Sequence, residues 1–172
     1  MTAMDFFLDS GLIYGLVDER DRHRTRIQIF FEYLDFDSHN FVSTRRVVDR
    51  ELKNIRRKRT EGVSREEREY QRMWTHLLDI IGDVDYIEHY LFDRLFPNIR
   101  EVLENNKQDD NPKDRDADLL SNAYLWDYHR DELDTPQFVT IDRNDIIRNQ
   151  HEIKNAADIC LSCDSQLQMT PV

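Results

Sequence analysis

The chain has 172 residues, the size of one domain, with 24 Lys and Arg against 35 Asp and Glu and a formal net charge of −11. Nine Phe, seven Tyr and two Trp supply bulk for a core and argue against wholesale disorder. Four Gly and four Pro exclude a collagen-like protein, and no apolar run reaches the ~18 residues of a membrane span. Only two cysteines and no signal-peptide pattern predict a cytoplasmic protein. The net charge, taken alone, argues against nucleic acid as a partner.

Short apolar runs indicate four strands. The run from Asp5 to Leu8 is too short for a buried helix, so we interpret it as a buried strand that is followed directly by Asp9. Two further runs, at 40–43 and 137–141, are typical of strands bounded by polar residues. A last, short strand is predicted at 156–161.

Helical periodicity fills the intervals between these strands. Apolar residues at spacings of three and four predict helices over about 22–35 and 116–130. From about 64 to 106 the pattern is helical throughout, with a break at Gly82-Asp83 and a further short helix starting at Pro97. This alternation predicts an α/β fold: a single-domain, helix-rich three-layer sandwich with a mainly parallel central sheet flanked by helices.

The predicted domain organisation is simple, because no internal repeat or linker-rich stretch divides the chain. We expect one domain over residues 1–161, with a helical elaboration at about 64–106. The polar residues 162–172 are expected to form a tail that frays.

Acidic residues follow two of the predicted strands directly. Asp9 comes after the first strand and Asp142 after the third. Because sites in open parallel sheets form at the carboxyl ends of strands, we expect both carboxylates to face one cleft. Glu51 and Asp116 lie on predicted helices that could reach the same edge. Asp116 shares a helical face with the apolar residues three, four and seven positions later, whereas Asp118 points about 200° around the helix.

Four carboxylates in one partly desolvated cleft cannot all stay ionised without compensation. A hard divalent cation, Mg²⁺ or Mn²⁺, would supply that compensation, because such ions prefer oxygen ligands and retain waters that can act as nucleophiles. The cluster therefore predicts metal-dependent hydrolysis of a phosphodiester.

Four motifs around these acids occur in order between residues 5 and 145. They are Phe7-Leu8-Asp9-Ser10-Gly11, Val42-Ser43 leading to Glu51-Leu52, Asp116-Ala117 with Leu119-Leu120 and Ala123, and Phe138-Val139-Thr140-Ile141-Asp142. Together they resemble the PIN-domain nuclease family. The resemblance implies a parallel sheet flanked by helices, Mg²⁺- or Mn²⁺-dependent ribonuclease activity and frequent dimerisation.

The resemblance also implies roles for individual residues. The implied catalytic, metal-binding acids are Asp9, Glu51, Asp116 and Asp142. Thr140 would brace the site by hydrogen bonding, and Asp145, one turn after Asp142, would be an additional acid. The neighbouring Asp114 and Asp118 leave the third position open, because either could replace Asp116.

The interval between Glu51 and Asp116 is longer than in compact toxin members of the family. This length weakens the interpretation of the chain as a toxin. It favours an added helical element near the substrate groove.

A basic run occupies residues 45–59, with eight basic and two acidic residues. Because it flanks Glu51, we predict that it contacts RNA phosphates. The residues predicted to bind RNA are Arg45, Arg46, Arg50 and Lys53. Since the positive charge is concentrated here, the net charge no longer excludes an RNA substrate.

These patterns favour a divalent-metal-dependent ribonuclease that acts on RNA, with a homodimer and an antitoxin or RNA-processing protein as candidate partners and no membrane association. The alternatives are a non-catalytic RNA-binding or scaffolding module with the same fold, or the toxin of a toxin–antitoxin pair. Phosphatase-like chemistry is disfavoured, because Gly11 stands where such enzymes need a second Asp after the first strand. Cys160 and Cys163 form a lone CxxC pair without the further ligands of a zinc site.

Overall fold

The structure, a computed structural model, describes residues 3–17, 21–51, 75–130 and 134–172, without the side chains of residues 16–17 and 50–51. Five strands form one sheet: β1 (Asp5–Leu8), β2 (Asn40–Thr44), β3 (Gly82–Val84), β4 (Gln137–Thr140) and β5 (Gln168–Pro171). Their order is β3-β2-β1-β4-β5, and every neighbouring pair is parallel. The chain builds outward from β1 to β3 and then returns to the other side of β1. The order therefore reverses between β1 and β4, where ligand crevices form in open parallel sheets.

Helices flank this sheet. They are α1 (Ser10–Val17), α2 (Arg24–Glu32), α3 (Phe92–Asn106), α4 (Asp114–Tyr128) and α5 (Gln150–Leu161). Shorter helical segments are Phe36–Ser38, the π-helical Val47–Glu51 and Arg143–Ile147, and residues 75–80. Helix α1 packs on α2, and α3 packs on both α4 and α5. The predicted α/β three-layer fold is thereby confirmed.

No helix in the described ranges is long and apolar enough to cross a membrane.

The central strand β1 is buried on both faces. Its two phenylalanines point in opposite directions: Phe6 meets Phe30 of α2 with ring centroids 6.3 Å apart, and Phe7 meets Trp126 of α4 at 5.6 Å. Each ring also stacks on the phenylalanine opposite it in the neighbouring strand. Burial on both faces explains why the sequence of β1 is a continuous apolar run. The first polar residue after that run, Asp9, lies at the carboxyl edge of the sheet.

The region predicted to be helical from 64 to 106 contains a strand. Residues 64–74 lie outside the described ranges, and β3 pairs along β2 with Gly82 opposite Val42. The three residues of β3 are too few to show the alternating pattern of a strand in the sequence. Their strand conformation depends on pairing with β2. Pro97 lies within α3 instead of starting a helix, because the buried face of α3 continues on both sides of it.

The carboxyl-terminal part of the chain differs from the prediction in two ways. Residues 156–161 belong to α5 and are not a strand. The buried residues of α5 repeat at helical spacing: Ile153, Ala157, Cys160 and Leu161. Residues 162–172 are not a frayed tail, since β5 pairs with β4 and Leu167 is 3% exposed. The polar sequence of β5 reflects its position at the edge of the sheet.

Candidate active site

Asp9 lies at the carboxyl end of β1 and is only 6% exposed. One of its carboxylate oxygens accepts a hydrogen bond from the Thr140 hydroxyl at 2.5 Å, and the other accepts one from the Gly11 N–H at 3.2 Å. Burial raises the pKa of Asp9, these hydrogen bonds lower it, and the nearby charge of Asp142 raises it, with a net increase. The bracing role predicted for Thr140 corresponds to this contact.

Asp142 follows β4 and caps the Arg143–Ile147 helical segment. Its Oδ1 accepts hydrogen bonds from the backbone N–H groups of Asn144 at 3.1 Å and Asp145 at 2.8 Å. Its own N–H donates to the Thr140 hydroxyl at 2.9 Å. Because three backbone or side-chain contacts fix Asp142, its carboxylate has a defined orientation next to Asp9.

Asp116 lies in the first turn of α4 and joins the two strand-end acids. Burial raises its pKa first, and repulsion by Asp9 and Asp142 raises it further, to about 6, although Lys113 lowers it in part. Carboxylates from the ends of β1 and β4 and from the start of α4 therefore lie within electrostatic reach of one another. Such a group stays fully ionised only when a cation compensates its charge, and otherwise one of the acids takes up a proton.

The structure distinguishes the three acids at the start of α4. Asp116 is the one that lies beside the strand-end acids. Asp114 is exposed and forms an ion pair with Arg100 at 2.8 Å. Asp118 lines a separate groove together with Arg46; burial raises its pKa and Arg46 lowers it. The helical-face argument that favours Asp116 over Asp118 agrees with this placement.

A buried ion pair that the sequence did not reveal adjoins the three acids. Lys113 Nζ lies 2.6 Å from Asp145 Oδ2 and 3.0 Å from Asp109 Oδ1, and its side chain is 5% exposed. Burial lowers the pKa of Lys113, but the two carboxylates raise it above its ordinary value, so the ammonium stays charged. The other oxygen of Asp145 is buried and has no hydrogen-bond partner among the residues that the structure describes. Lys113 stands in a polar loop sequence that resembles any solvated segment, so no sequence pattern identifies it.

The segment that carries Glu51 begins directly after β2. The Thr44 hydroxyl accepts a hydrogen bond from the Val47 N–H at 3.4 Å. The backbone of Glu51 ends the π-helical turn, but its side chain and that of Arg50 are outside the described part of the structure. Lys53 lies outside it altogether. The roles of these three residues therefore stay predictions.

The two described arginines of the basic run line the same groove but differ in their ion pairs. Arg45 is exposed and forms ion pairs with Asp83 at 2.8 Å and with Asp85 at 3.8 Å. Arg46 is also exposed and interacts electrostatically with Asp118 in this groove, which has a volume of about 390 Å³. Arg46 is therefore better placed than Arg45 to meet a phosphate.

The donor chemistry of the cluster suits a hard divalent cation. Within the described ranges, no group of three or more His, Cys, Asp or Glu is arranged closely enough to hold a metal ion. Two features nevertheless fit one: the raised pKa of Asp116 among like charges, and the unpartnered buried oxygen of Asp145. The candidate ligands are Asp9, Asp116 and Asp142, whose carboxylates would have to move closer together to share a cation.

A solved structure resembles the fold, whereas no family model or curated protein matches the sequence. The fold is similar to that in the solved structure of FitAB bound to the IR36 DNA fragment, at 12% sequence identity and a TM-score of 0.47, over 95% of this chain and 94% of that one. At this identity and TM-score the similarity carries no argument about function or partners.

Proposed function

We propose that the chain is a PIN-like, divalent-metal-dependent ribonuclease. The observation that carries the proposal is the approach of Asp9, Asp116 and Asp142 at the point where the strand order of the sheet reverses. The two strand-end acids are held by hydrogen bonds, and the third has a pKa raised by its neighbours. A site of oxygen donors whose charges Lys113 compensates only in part supports binding of Mg²⁺ or Mn²⁺.

The residues of the chain would hold and orient the reacting groups. Asp9, Asp116 and Asp142 would bind the cation, and Glu51 is a further candidate ligand. When bound, Mg²⁺ or Mn²⁺ lowers the pKa of a coordinated water and stabilises negative charge on the phosphodiester. The Thr140 hydroxyl favours the ionised form of Asp9, because it donates a hydrogen bond to that carboxylate.

The direct test is cleavage of a mixed set of labelled RNAs in Mn²⁺ or Mg²⁺, with Asp9→Asn and Asp142→Asn as variants. We expect that chelation and each substitution abolish cleavage. Asp114→Asn is the matched control, because it removes an exposed carboxylate from the same first turn of α4. Cleavage that survives chelation, or that survives both substitutions, would refute the metal-nuclease proposal.

The alternatives give different results in the same experiments. A non-catalytic RNA-binding module would bind the labelled RNAs with any metal but leave them intact. A toxin would cleave RNA and arrest growth on expression, and a co-expressed antitoxin would relieve that arrest. A homodimer, also a prediction, is measured by sedimentation of the purified chain.

A further inference from the structure

A charged lysine is buried beside the proposed cation site. The Lys113 side chain is 5% exposed, and that of its partner Asp145 is 8% exposed. Taking both charges out of water is costly, and the mutual attraction of a buried pair often does no more than offset that cost. Stabilisation of the fold is therefore a weak explanation for the Lys113–Asp145 pair. The contacts that connect the pair to Asp116 and Asp142 suggest another role.

On one side, Lys113 is fixed to the start of α4. Its backbone N–H donates to a carboxylate oxygen of Glu104 at 3.0 Å, and its carbonyl accepts the N–H of Ala117 at 2.9 Å. The second hydrogen bond is the first of the helix, so Lys113 sets where α4 begins. Asp116 lies three residues further, in the first turn. The backbone of Lys113 is therefore fixed directly before the turn that carries Asp116.

On the other side, the lysine is connected to Asp142 through Asp145. The ammonium binds the Asp145 carboxylate at 2.6 Å, and the Asp145 N–H donates to Asp142 Oδ1 at 2.8 Å. The Asp145 carbonyl accepts a hydrogen bond from the Asn149 side chain at 2.8 Å, so this residue is held at both ends. A continuous set of contacts therefore runs from the start of α4 to the acid that follows β4.

We propose that Lys113 is a positioning residue of the acidic site. Through its buried bond to Asp145, Lys113 holds Asp116 and Asp142 at a fixed separation. This proposal rests on the proposed function, since the separation of the two acids matters when they share a cation. Lys113 does not touch the reacting atoms. It also places one permanent positive charge beside the carboxylates, which reduces their mutual repulsion before a cation binds.

The test needs a variant that does not leave a buried charge unpaired. Lys113→Met alone strands the Asp145 carboxylate and can unfold the chain. The double variant Lys113→Met with Asp145→Asn removes both charges, whereas Lys113→Arg keeps the cation. The matched control is Lys154→Met with Asp158→Asn. Lys154 of α5 also binds two aspartates, Asp158 at 2.6 Å and Asp164, as Lys113 binds Asp145 and Asp109.

Three measurements are made on variants whose thermal melting shows that they are folded. Mn²⁺ affinity is measured by calorimetry, kcat and KM by RNA cleavage at saturating Mn²⁺, and the Asn144 amide resonance by NMR. The Asn144 N–H donates to Asp142 Oδ1, so its chemical shift reports the orientation of that carboxylate without any metal. We expect the double variant to bind Mn²⁺ about 10- to 100-fold more weakly. It should also lose kcat with KM retained and show an Asn144 resonance that is shifted from its position in Asp145→Asn alone, because that single variant carries the same change next to Asn144.

The Lys113→Arg variant should recover part of the affinity and of kcat, and the α5 control should match the wild type. An Asn144 resonance that is the same in the folded double variant and in Asp145→Asn alone would overturn the positioning role, whether or not the affinity falls. If the wild type neither bound Mn²⁺ nor cleaved RNA, the proposed function would fail. The metal-free resonance would then still decide whether Lys113 positions Asp142.

Discussion

The hydroxyl of Thr140 donates a hydrogen bond to the carboxylate of Asp9 across the neighbouring strands β1 and β4. The same hydroxyl oxygen accepts the backbone N–H of Asp142 at 2.9 Å, which leaves its proton to point at Asp9. One small side chain therefore connects both strand-end acids. It does so where the sheet order reverses, which is where parallel sheets form their sites.

Replacing this hydroxyl should destabilise the chain in a pH-dependent way. Thr140→Val keeps the shape of the side chain but leaves a buried carboxylate without one of its donors. We expect the free energy of unfolding to fall by about 1–3 kcal/mol at pH 7, and by less in acid, where Asp9 is protonated. Urea unfolding at pH 7 and in acid measures the two losses of free energy. Thr140→Ser retains the donor and should stay near the wild type; equal losses in the two variants would contradict the assignment.

Removing the charge of Asp116 should increase the free energy of unfolding. Its pKa is about 6 in the folded chain against an ordinary value of 3.8, so the folded state binds the extra proton between these values. Stability in a chelator should therefore fall as the pH rises from about 4 to about 6, and the cost should persist above that range. Asp116→Asn removes the cost, and we expect it to be more stable than the wild type by about 1–3 kcal/mol at pH 7 and equal at pH 4.

Urea unfolding in EDTA measures the effect of Asp116→Asn, and Asp114→Asn is its exposed control. Addition of Mn²⁺ should reverse the order of stability, because a cation stabilises only the chain that keeps the carboxylate. A variant that is less stable than the wild type at pH 7 in EDTA would contradict the raised pKa.

The two described arginines of the basic run should contribute unequally to RNA binding. Arg46→Gln should reduce the slope of log affinity against log salt by about 1, as the loss of one phosphate contact does. Arg45→Gln should change it less, because Asp83 and Asp85 already offset the charge of Arg45. Fluorescence anisotropy over a salt series, in the Asp9→Asn background to prevent cleavage, measures both slopes. A larger effect of Arg45 would show that its ion pairs open when RNA binds.

Truncation after residue 161 tests whether the end of the chain belongs to the domain. Removing residues 162–172 deletes β5 and the buried Leu167, and it exposes the edge of β4 next to Thr140. We expect a loss of at least ~2 kcal/mol in the free energy of unfolding, from the burial of one leucine alone. Circular dichroism during thermal unfolding measures the change. Leu167→Ala separates the side chain from the strand, and a truncated chain that melts like the wild type would show that β5 is dispensable.

The sequence and the structure agree most closely where burial is greatest. Strands β1 and β4 lie inside the sheet, so their apolar runs and the acids that end them are visible in the sequence. Among the described residues, β3 and β5 lie at the edges of the sheet with a partner strand on one side only, and their polar residues carry no strand pattern. The six residues 156–161 are too few to distinguish a helix from a strand by their pattern. The helical spacing emerges only over the whole of α5.

The sequence by itself determined the fold class and placed Asp9 and Asp142 at strand ends, because a strand buried on both faces must be apolar until it leaves the sheet. Only the tertiary structure decided that Asp116, and not Asp114, lies beside them, since that depends on how α4 begins against the sheet edge. The burial of Lys113 beside the acids is visible only in the structure. A lysine in a polar loop looks solvated until packing buries it against Asp145, and burial is a property of the assembled elements and not of the local sequence.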